Sequence, residues 1–536
     1  MNTKQLRQKI LDLAIKGKLV PQDPNDEPAS KLIERIREEK EQLIKEGKLK
    51  RDKNESHIFV GDDKLHYEKF ADGSVVCIED EIPFEIPDSW RWCKVDNVST
   101  IKGGKRLPSG RSLLNDKTNH PYLRIVDMKN NTIIDDDIHY ISEDVFAKIK
   151  QYIITDKDLY ITIAGTIGNV GIIPSKYNNA NLTENAVRVT PLLINKKYLM
   201  YLILSNYVQN QFIDKTHHVA MPKLAIERIK GVLIPIPPIQ EQNRIVETVG
   251  TLLQLVETID SDKIDLSNLI KQTKAKVLDL AIKGKLVPQD DNDEPADKLL
   301  EKIREEKEKL IKEGKIKRDK NETFIFKSSD DNSYYEQIGG ETVCIDDDLP
   351  FEIPDTWRWC RLSNICSYIQ RGKSPKYSEI KKYPVISQKC VRWTGLDLQP
   401  AKYITEDSLQ KYENIRFLCD NDILWNSTGT GTVGRAAIYN KKLNLFSLAV
   451  ADSHVTVIRP MNVLSSYIHY FIMSPHVQVG FEDLCDGSTN QKELSLTTVS
   501  DFLIPLPPYK EQLRITEKTN EIFSYLDNLE TIIKGS

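Results

Sequence analysis

Three short strings carry residue types that could do chemistry; two lack a member that their chemistry requires, and the third occurs in one half only. Arg371-Gly372-Lys373-Ser374 ends like a phosphate-cradling loop, but that loop needs a glycine where Ser367 stands and a helix directly after it. Leu506-Pro507-Pro508-Tyr509 has the outline of the Asp/Asn-Pro-Pro-Tyr tetrad that grips an exocyclic amine. The residue that must accept the amino hydrogens is Leu506, and its counterpart in the first half of the chain is Ile236. Pro354-Asp355 with Glu379 and Lys381 makes a nuclease-like set once only, because the first half has no equivalent Glu-x-Lys. With no metal-ligand cluster and no activated nucleophile in the sequence, no catalytic residue and no cofactor bound by this chain are expected.

A second set of residues suits recognition instead. In the first half these are Lys105 and Arg106 after Gly103-Gly104, then Arg111 and Lys129, Thr166 and Asn169 around Gly165-Thr166-Ile167-Gly168, and His217, His218 and Lys223. In the second half they are Arg371, Lys373, Lys376, Lys389 and Arg392, then Thr430 and Arg435 around Gly431-Thr432-Val433-Gly434, and Asn490, Gln491 and Lys492. Arg and Lys pair with guanine, Asn and Gln with adenine, and backbone amides at glycine turns approach phosphate oxygens. The same turns also read as hairpin tips with solvated charges, so at any single residue both readings stay open.

What positions these residues is an internal repeat. Leu11 to Asp23, LDLAIKGKLVPQD, returns unchanged at Leu278 to Asp290, and 40 of the 47 residues from Lys9 to Glu55 are identical at an offset of 267. The match resumes at IPFEIPDSWRWC (Ile82 to Cys93) and LPFEIPDTWRWC (Leu349 to Cys360), and again at IPIPPIQEQNRI (Ile234 to Ile245) and IPLPPYKEQLRI (Ile504 to Ile515). Between them, residues 94–232 and 361–502 share a skeleton but few identities. Identical mounts thus carry different heads, each expected to be α+β.

After Pro237-Pro238, apolar residues fall at Ile245, Val249, Leu252, Val256, Ile259, Leu266, Ile270, Val277 and Leu280, a heptad-like seam of roughly 54 Å at 1.5 Å per residue. Its first part recurs as Ile515, Ile522, Leu526, Leu529 and Ile533, while its second part recurs only at Leu6 to Gly17. The expectation is a closed, circular arrangement in which the N- and C-terminal helices together mimic the central one. Two pseudo-twofold related heads are then held apart by an antiparallel helix pair; the other reading packs each seam on its own head. A further helix is expected over about Pro28 to Glu46 and Pro295 to Glu313, closed by Gly47 and Gly314, with its IREEKE run either solvated or docking a partner. The resulting division is 1–55 and 56–93 (helices, then a hairpin-like insertion and lead-in), 94–238 (first head) and 239–322 (central helices). It continues with 323–360 (second insertion), 361–508 (second head) and 509–536 (terminal helix).

Composition bounds this picture. At 536 residues the chain exceeds a single core. Its longest apolar stretches, such as Tyr198 to Val208, are too short to span a membrane, and MNTKQLRQKI is no signal peptide. Eight cysteines without a CxxC pair suit buried thiols in a reducing cytoplasm. The net charge is -4, but residues 94–234 hold 19 Lys+Arg against 13 Asp+Glu and residues 361–504 hold 16 against 13, so both heads are basic within an acidic whole.

AIKGKLVPQD with the IREEKE helix, the IPxPPxxEQxRI strings and the GTIG/GTVG turns together resemble type I restriction enzyme S proteins over essentially the whole chain. The resemblance implies a noncatalytic subunit reading a bipartite, asymmetric double-stranded DNA target through two target recognition domains. It also implies two modification (M) subunits and restriction (R) subunits as partners, which bring S-adenosylmethionine, ATP and Mg. A scaffold presenting two unlike heads to protein or glycan, and a self-sufficient methylating or cleaving enzyme, are the competing classes.

Overall fold

The computed structural model describes residues 2–52, 55–213, 223–319, 322–429, 431–446, 448–486 and 492–535. They form two compact units, Met1–Lys263 and Ile264–Gly535, and the boundary falls inside one long helix.

The first unit opens with α1 (Thr3–Ile15), where Asn2 and Gln5 satisfy each other's backbone amides in a capping box. The chain then turns at Gly17, whose φ is +66° and where a Cβ would lie 2.5 Å from Pro87, so only glycine fits under the lead-in segment. Helix α2 (Ala29–Lys45) starts after Pro28 and buries Ala29, Leu32 and Ile36 at helical spacing. Next comes an antiparallel meander of Ser56–Val60, His66–Phe70 and Val75–Cys77, one strand more than the expected hairpin. The strand entering the head, Arg91–Lys94, pairs antiparallel with the strand leaving it, Leu233–Ile236, with Cys93 opposite Ile234. That pairing explains why the repeat converges at these two strings: each is half of one small sheet.

Between entry and exit lie two four-stranded sheets. One runs in the order 153–154, 180–182, 121–123, 139–140; the other runs 170–172, 159–162, 186–191, 99–103. Lys196–Leu204 and Asn206–Ile213 are separate helices, where the sequence reads as one near Lys197 to Phe212. The break is at Ser205, which is extended and returns its hydroxyl to the Leu202 carbonyl at 2.6 Å. From the head the chain enters α3 (Ile239–Ile282), 44 residues and about 66 Å long.

The second unit repeats the plan: α4 (Ala296–Lys312), a meander of Thr323–Lys327, Tyr334–Ile338 and Glu341–Cys344, and the pair Arg358–Arg361 with Leu503–Leu506. Its head has two four-stranded sheets, and its helices Ser465–Met473 and Pro475–Gln478 break at Ser474, the counterpart of Ser205. It closes with α5 (Tyr509–Gly535).

Each unit builds the same helix contact. In the first, Arg7 of α1 pairs with Asp260 of α3 at 2.8 Å, and Arg244 of α3 reaches Asp26 at 2.6 Å. In the second, the later part of α3 takes the place of α1 and α5 takes the place of early α3: Lys274 meets Asp527 at 2.5 Å and Glu530 at 3.5 Å, and Arg514 meets Asp293 at 2.6 Å. The helix start is locked alike in both. Trp90 Nε1 donates to Glu241 at 2.9 Å while Gln22 donates at 2.7 Å, and Trp357 and Gln289 do the same for Glu511 at 2.9 and 2.6 Å. Burial raises both carboxyls above the usual range, and these hydrogen bonds oppose the rise.

The seam does not pack along its whole length. Ile245, Val249, Val256, Ile270, Val277 and Ile515 are buried, and Leu252, Leu280, Ile522, Leu526 and Ile533 are half-buried. Ile259, Leu266 and Leu529 are 41%, 40% and 45% exposed, which corrects their reading as seam positions. Ile245, Val249 and Val256 join the core of the first unit and Ile515 that of the second, whereas Ile259, Leu266 and Leu529 belong to neither.

Candidate nucleic-acid interface

Each head carries a glycine turn, a hairpin and a strand end built by matching devices. The Gly165-to-Gly168 turn joins Leu159–Thr162 to Val170–Ile172, with φ of +72° and +84° at its two glycines. Gln209 Nε2 donates to the Gly168 carbonyl at 3.0 Å and sits where a Cβ on Gly168 would be. Gln478 Nε2 does the same for the Gly434 carbonyl at 3.2 Å. Inside the first turn the Thr162 hydroxyl donates to the Thr166 carbonyl; inside the second, Asn426 Nδ2 donates to the carbonyls of Thr432 and Gln388 at 3.2 and 3.1 Å.

Beside each turn stands a two-stranded hairpin. In the first head it is Met128–Lys129 with Thr132–Ile133, turned by Asn130 and Asn131, both at positive φ as a two-residue turn of this kind requires. In the second it is Val391–Arg392 with Gly395–Leu396. Asn169 Nδ2 donates to the Met128 carbonyl at 2.7 Å and Asn131 Nδ2 to the Val170 carbonyl at 2.9 Å, lacing hairpin to turn. In the second head the Arg435 guanidinium lies 6.0 Å from the Trp393 ring. At the strand ends a Cβ on Gly104 would overlap the Thr183 carbonyl, and one on Gly372 the Ala451 carbonyl.

These contacts sort the candidate residues. Lys105, Lys129, Thr166, Lys223, Lys373, Lys376 and Lys389 are exposed. Arg106, Arg111 and Arg392 are exposed as well, and each holds a surface carboxylate: Glu184 at 2.6 Å, Asp144 at 2.5 Å and Asp397 at 2.9 Å. Such pairs are worth about 0–1 kcal/mol and yield readily to a phosphate. Three residues are corrected. Asn169 is committed to the hairpin, Arg371 is held by Glu493 and the Leu494 carbonyl, and Arg435 donates to the Gly431 carbonyl at 2.6 Å. They brace the loops, because turning to a base would break bonds that shape the turn. Lys492 is half-buried, while His217, His218, Thr430, Asn490 and Gln491 lie outside the described residues. The sequence reading missed Gln209, Gln478 and the hairpin tips Asn130 and Trp393. A Gln four residues after Ser205 and again four after Ser474 was the available signal for the first pair.

The nucleotide-loop candidate does not fit a phosphate: Arg371 ends the strand Cys366–Arg371 with its guanidinium turned inward, and the Lys373 amide donates to the Ala451 carbonyl at 3.1 Å. Leu506 is fully buried within a strand, so the Pro-Pro-Tyr string has no amine pocket there. Among the described residues no group of His, Cys, Asp and Glu could hold a metal ion, and no helix is long and apolar enough to cross a membrane.

Comparison with known proteins places these two heads in a recognisable setting. The family model for the type I restriction modification DNA specificity domain matches residues 87–272 and 354–535. The specificity subunit of the type I restriction enzyme EcoAI of Escherichia coli is 28% identical over 99% of this chain and 90% of its own length. That of EcoEI, also from Escherichia coli, is 26% identical over 99% and 91%. Among solved structures, the HsdS subunit from Thermoanaerobacter tengcongensis aligns over 84% of this chain and 93% of its own with a TM-score of 0.50 at 16% identity, a likeness of fold.

Proposed function

Because the chain belongs to the type I restriction modification DNA specificity family, matched once in each half, we propose that it is the noncatalytic subunit that selects the DNA target for a type I restriction-modification complex. The observation that carries this is the pair of heads: one frame, held by the same glutamine and glycine devices, presents Lys129 and Asn130 in the first copy and Arg392 and Trp393 in the second. A frame kept constant under changed tips is what two readers of two different half-sites need. The target is then bipartite and asymmetric. Exposed lysines beside the glycine turns hold phosphates, and the hairpin tips face base edges.

In this reading the chemistry belongs to the partners. Two modification subunits bring S-adenosylmethionine and the methylation site, and restriction subunits bring ATP- and Mg-dependent cleavage; the work is done in the cytoplasm, where the DNA is. Replacing residues 94–232 by another head tests it. Methylation mapping should show one half-site changed and the other kept; a target unchanged after the exchange would sink the two-reader model. A scaffold for protein or glycan predicts no steep loss of DNA binding with salt, whereas a phosphate-contacting reader requires one.

A further inference from the structure

Beside the glycine turn of each head, two loops meet at matched positions but are joined by different chemistry. One loop follows the strand Ser99–Gly103 or Cys366–Arg371 and is pinned as it leaves: the Lys105 amide donates to the Leu182 carbonyl at 2.8 Å, and the Lys373 amide to the Ala451 carbonyl at 3.1 Å. The facing loop is tied to the foot of the glycine turn. There the Ile163 amide donates to the Asn185 carbonyl at 2.8 Å, and the Ser427 amide to the His454 carbonyl at 3.0 Å. The next residue of each pinned loop then reaches across. In the first head Arg106 meets Glu184; in the second Ser374 meets Ser453, hydroxyl to hydroxyl at 2.7 Å.

The contact at Arg106 leaves the far end of its guanidinium open. Its Nε donates to Glu184 Oε1 at 2.6 Å, among the described residues no hydrogen bond runs from either Nη, and the side chain is 79% exposed. Arg111 and Arg392, by contrast, each spend Nη2 on a carboxylate. Glu184 is itself half-buried and takes a hydrogen bond from the Thr183 hydroxyl at 3.1 Å, so the carboxylate is anchored on the loop from which it holds the arginine. The Tyr122 hydroxyl donates to the Lys105 carbonyl at 2.8 Å, fixing the backbone directly ahead of Arg106. A guanidinium held at Nε presents its two Nη groups as a planar fork, the shape that meets O6 and N7 of guanine. An arginine serving only as a phosphate contact gains nothing from a carboxylate at its side, because the phosphates repel that carboxylate.

We propose that Glu184 is a positioning residue that aims the Arg106 fork at a guanine, so the half-site read by the first head contains a G·C pair at that place. At the matched place in the second head, Ser374 and Ser453 offer hydroxyls that donate or accept alike, and no such requirement applies. This rests on the function proposed above and adds one base and its reader to the first half-site.

The test uses the full-length chain assembled with its modification subunit, and measures which duplexes are bound from a randomised pool and where methylation falls. The wild type should give a bipartite motif with a guanine in one half that Arg106→Ala relaxes, discrimination there falling by about fivefold or more while the other half-site is kept. Arg106→Lys keeps the charge, loses the fork and should relax the same position. Glu184→Ser should relax it too, and should raise binding to unrelated duplex because a negative charge is gone; a merely structural role would leave that binding unchanged or lower it. Ser374→Arg with Ser453→Glu should write a guanine preference into the second half-site. Thermal melting monitors the fold. If Glu184→Ser lowers Tm, Glu184→Gln should still relax the position, by less; if the second-head pair does not fold, the variants at the exposed Arg106 decide. Affinity lost evenly over all sequences by Arg106→Ala, with the motif kept, would make Arg106 a phosphate contact and overturn the proposal. So would a motif as sharp as the wild type's in folded Glu184→Ser and Glu184→Gln. A wild-type complex that selects no sequence at all would sink the proposed function, and this inference with it.

Discussion

In the first head the hairpin beside the glycine turn ends in Lys129 and Asn130; in the second the matching hairpin ends in Arg392 and a Trp393 that is 53% exposed. Directly behind both, Gln209 and Gln478 hold the turn through the same carbonyl. The contrast shows how such a head divides its work. Side chains that fix backbone are kept, because a turn with two positive-φ glycines has few alternative fasteners. Tips that fasten no turn are free to change, so recognition can be rewritten without refolding. One head offers polar hydrogen-bonding groups only, and the other adds an aromatic face that can contact a thymine methyl or an unstacked base.

The comparison can be broken most severely at the strand ends. Gly104→Val and Gly372→Val each drive a side chain into a backbone carbonyl, so each should cost about 2–4 kcal/mol of stability, as overpacking at a rigid site does, and abolish its own half-site. Denaturant unfolding and methylation mapping check both, and loss of both half-sites from one substitution would contradict independent heads.

Next in size is the lock at the start of the long helices. Trp90→Phe leaves buried Glu241 without one donor and should cost about 1–3 kcal/mol; Trp357→Phe should cost the same to within about 0.5 kcal/mol, since the geometry at Glu511 is the same. Unequal losses in paired melts would show that the two mounts are not equivalent. The tips come third. Lys129→Ala and Arg392→Ala should each weaken DNA binding by about 1 kcal/mol and relax the base preference, each in its own half-site only.

The smallest effect is on pH dependence. Glu241 and Glu511 have carboxyls raised by burial, so their folded forms favour the proton: their contribution to stability is complete below the ordinary carboxylate range and is lost as pH rises through the raised value. Glu241→Gln with Glu511→Gln should therefore flatten the fall in stability on going from acid to neutral pH. An unchanged slope in melts taken across that interval would assign the dependence to other groups.

Much of this was legible in the sequence, for a physical reason. The helices α2 and α4, the strings that bound each head and the two-headed plan are properties of periodicity and of strings that recur, and both survive without coordinates. The bracing roles of Asn169, Arg371 and Arg435 did not, because each depends on a partner 41, 122 and 4 residues away, and residue type alone made all three look like readers. The seam was misjudged at Ile259, Leu266 and Leu529 because heptad spacing predicts which side of a helix is apolar, not where along it a core is present to cover that side. Ser205 and Ser474 were invisible as breaks, since serine at that spacing is compatible with an unbroken helix until its hydroxyl is seen to turn back.

The pairing of Arg91–Lys94 with Leu233–Ile236, and of Arg358–Arg361 with Leu503–Leu506, has a consequence for inheritance. A head whose first and last strands are bonded to each other leaves the mount at one spot, so exchanging everything between them moves no other part of the chain. Recombination with crossovers in the two flanking strings delivers a complete, closed head to a waiting socket, and a lineage can acquire a new specificity in one event rather than by accumulating substitutions through poorly folded intermediates.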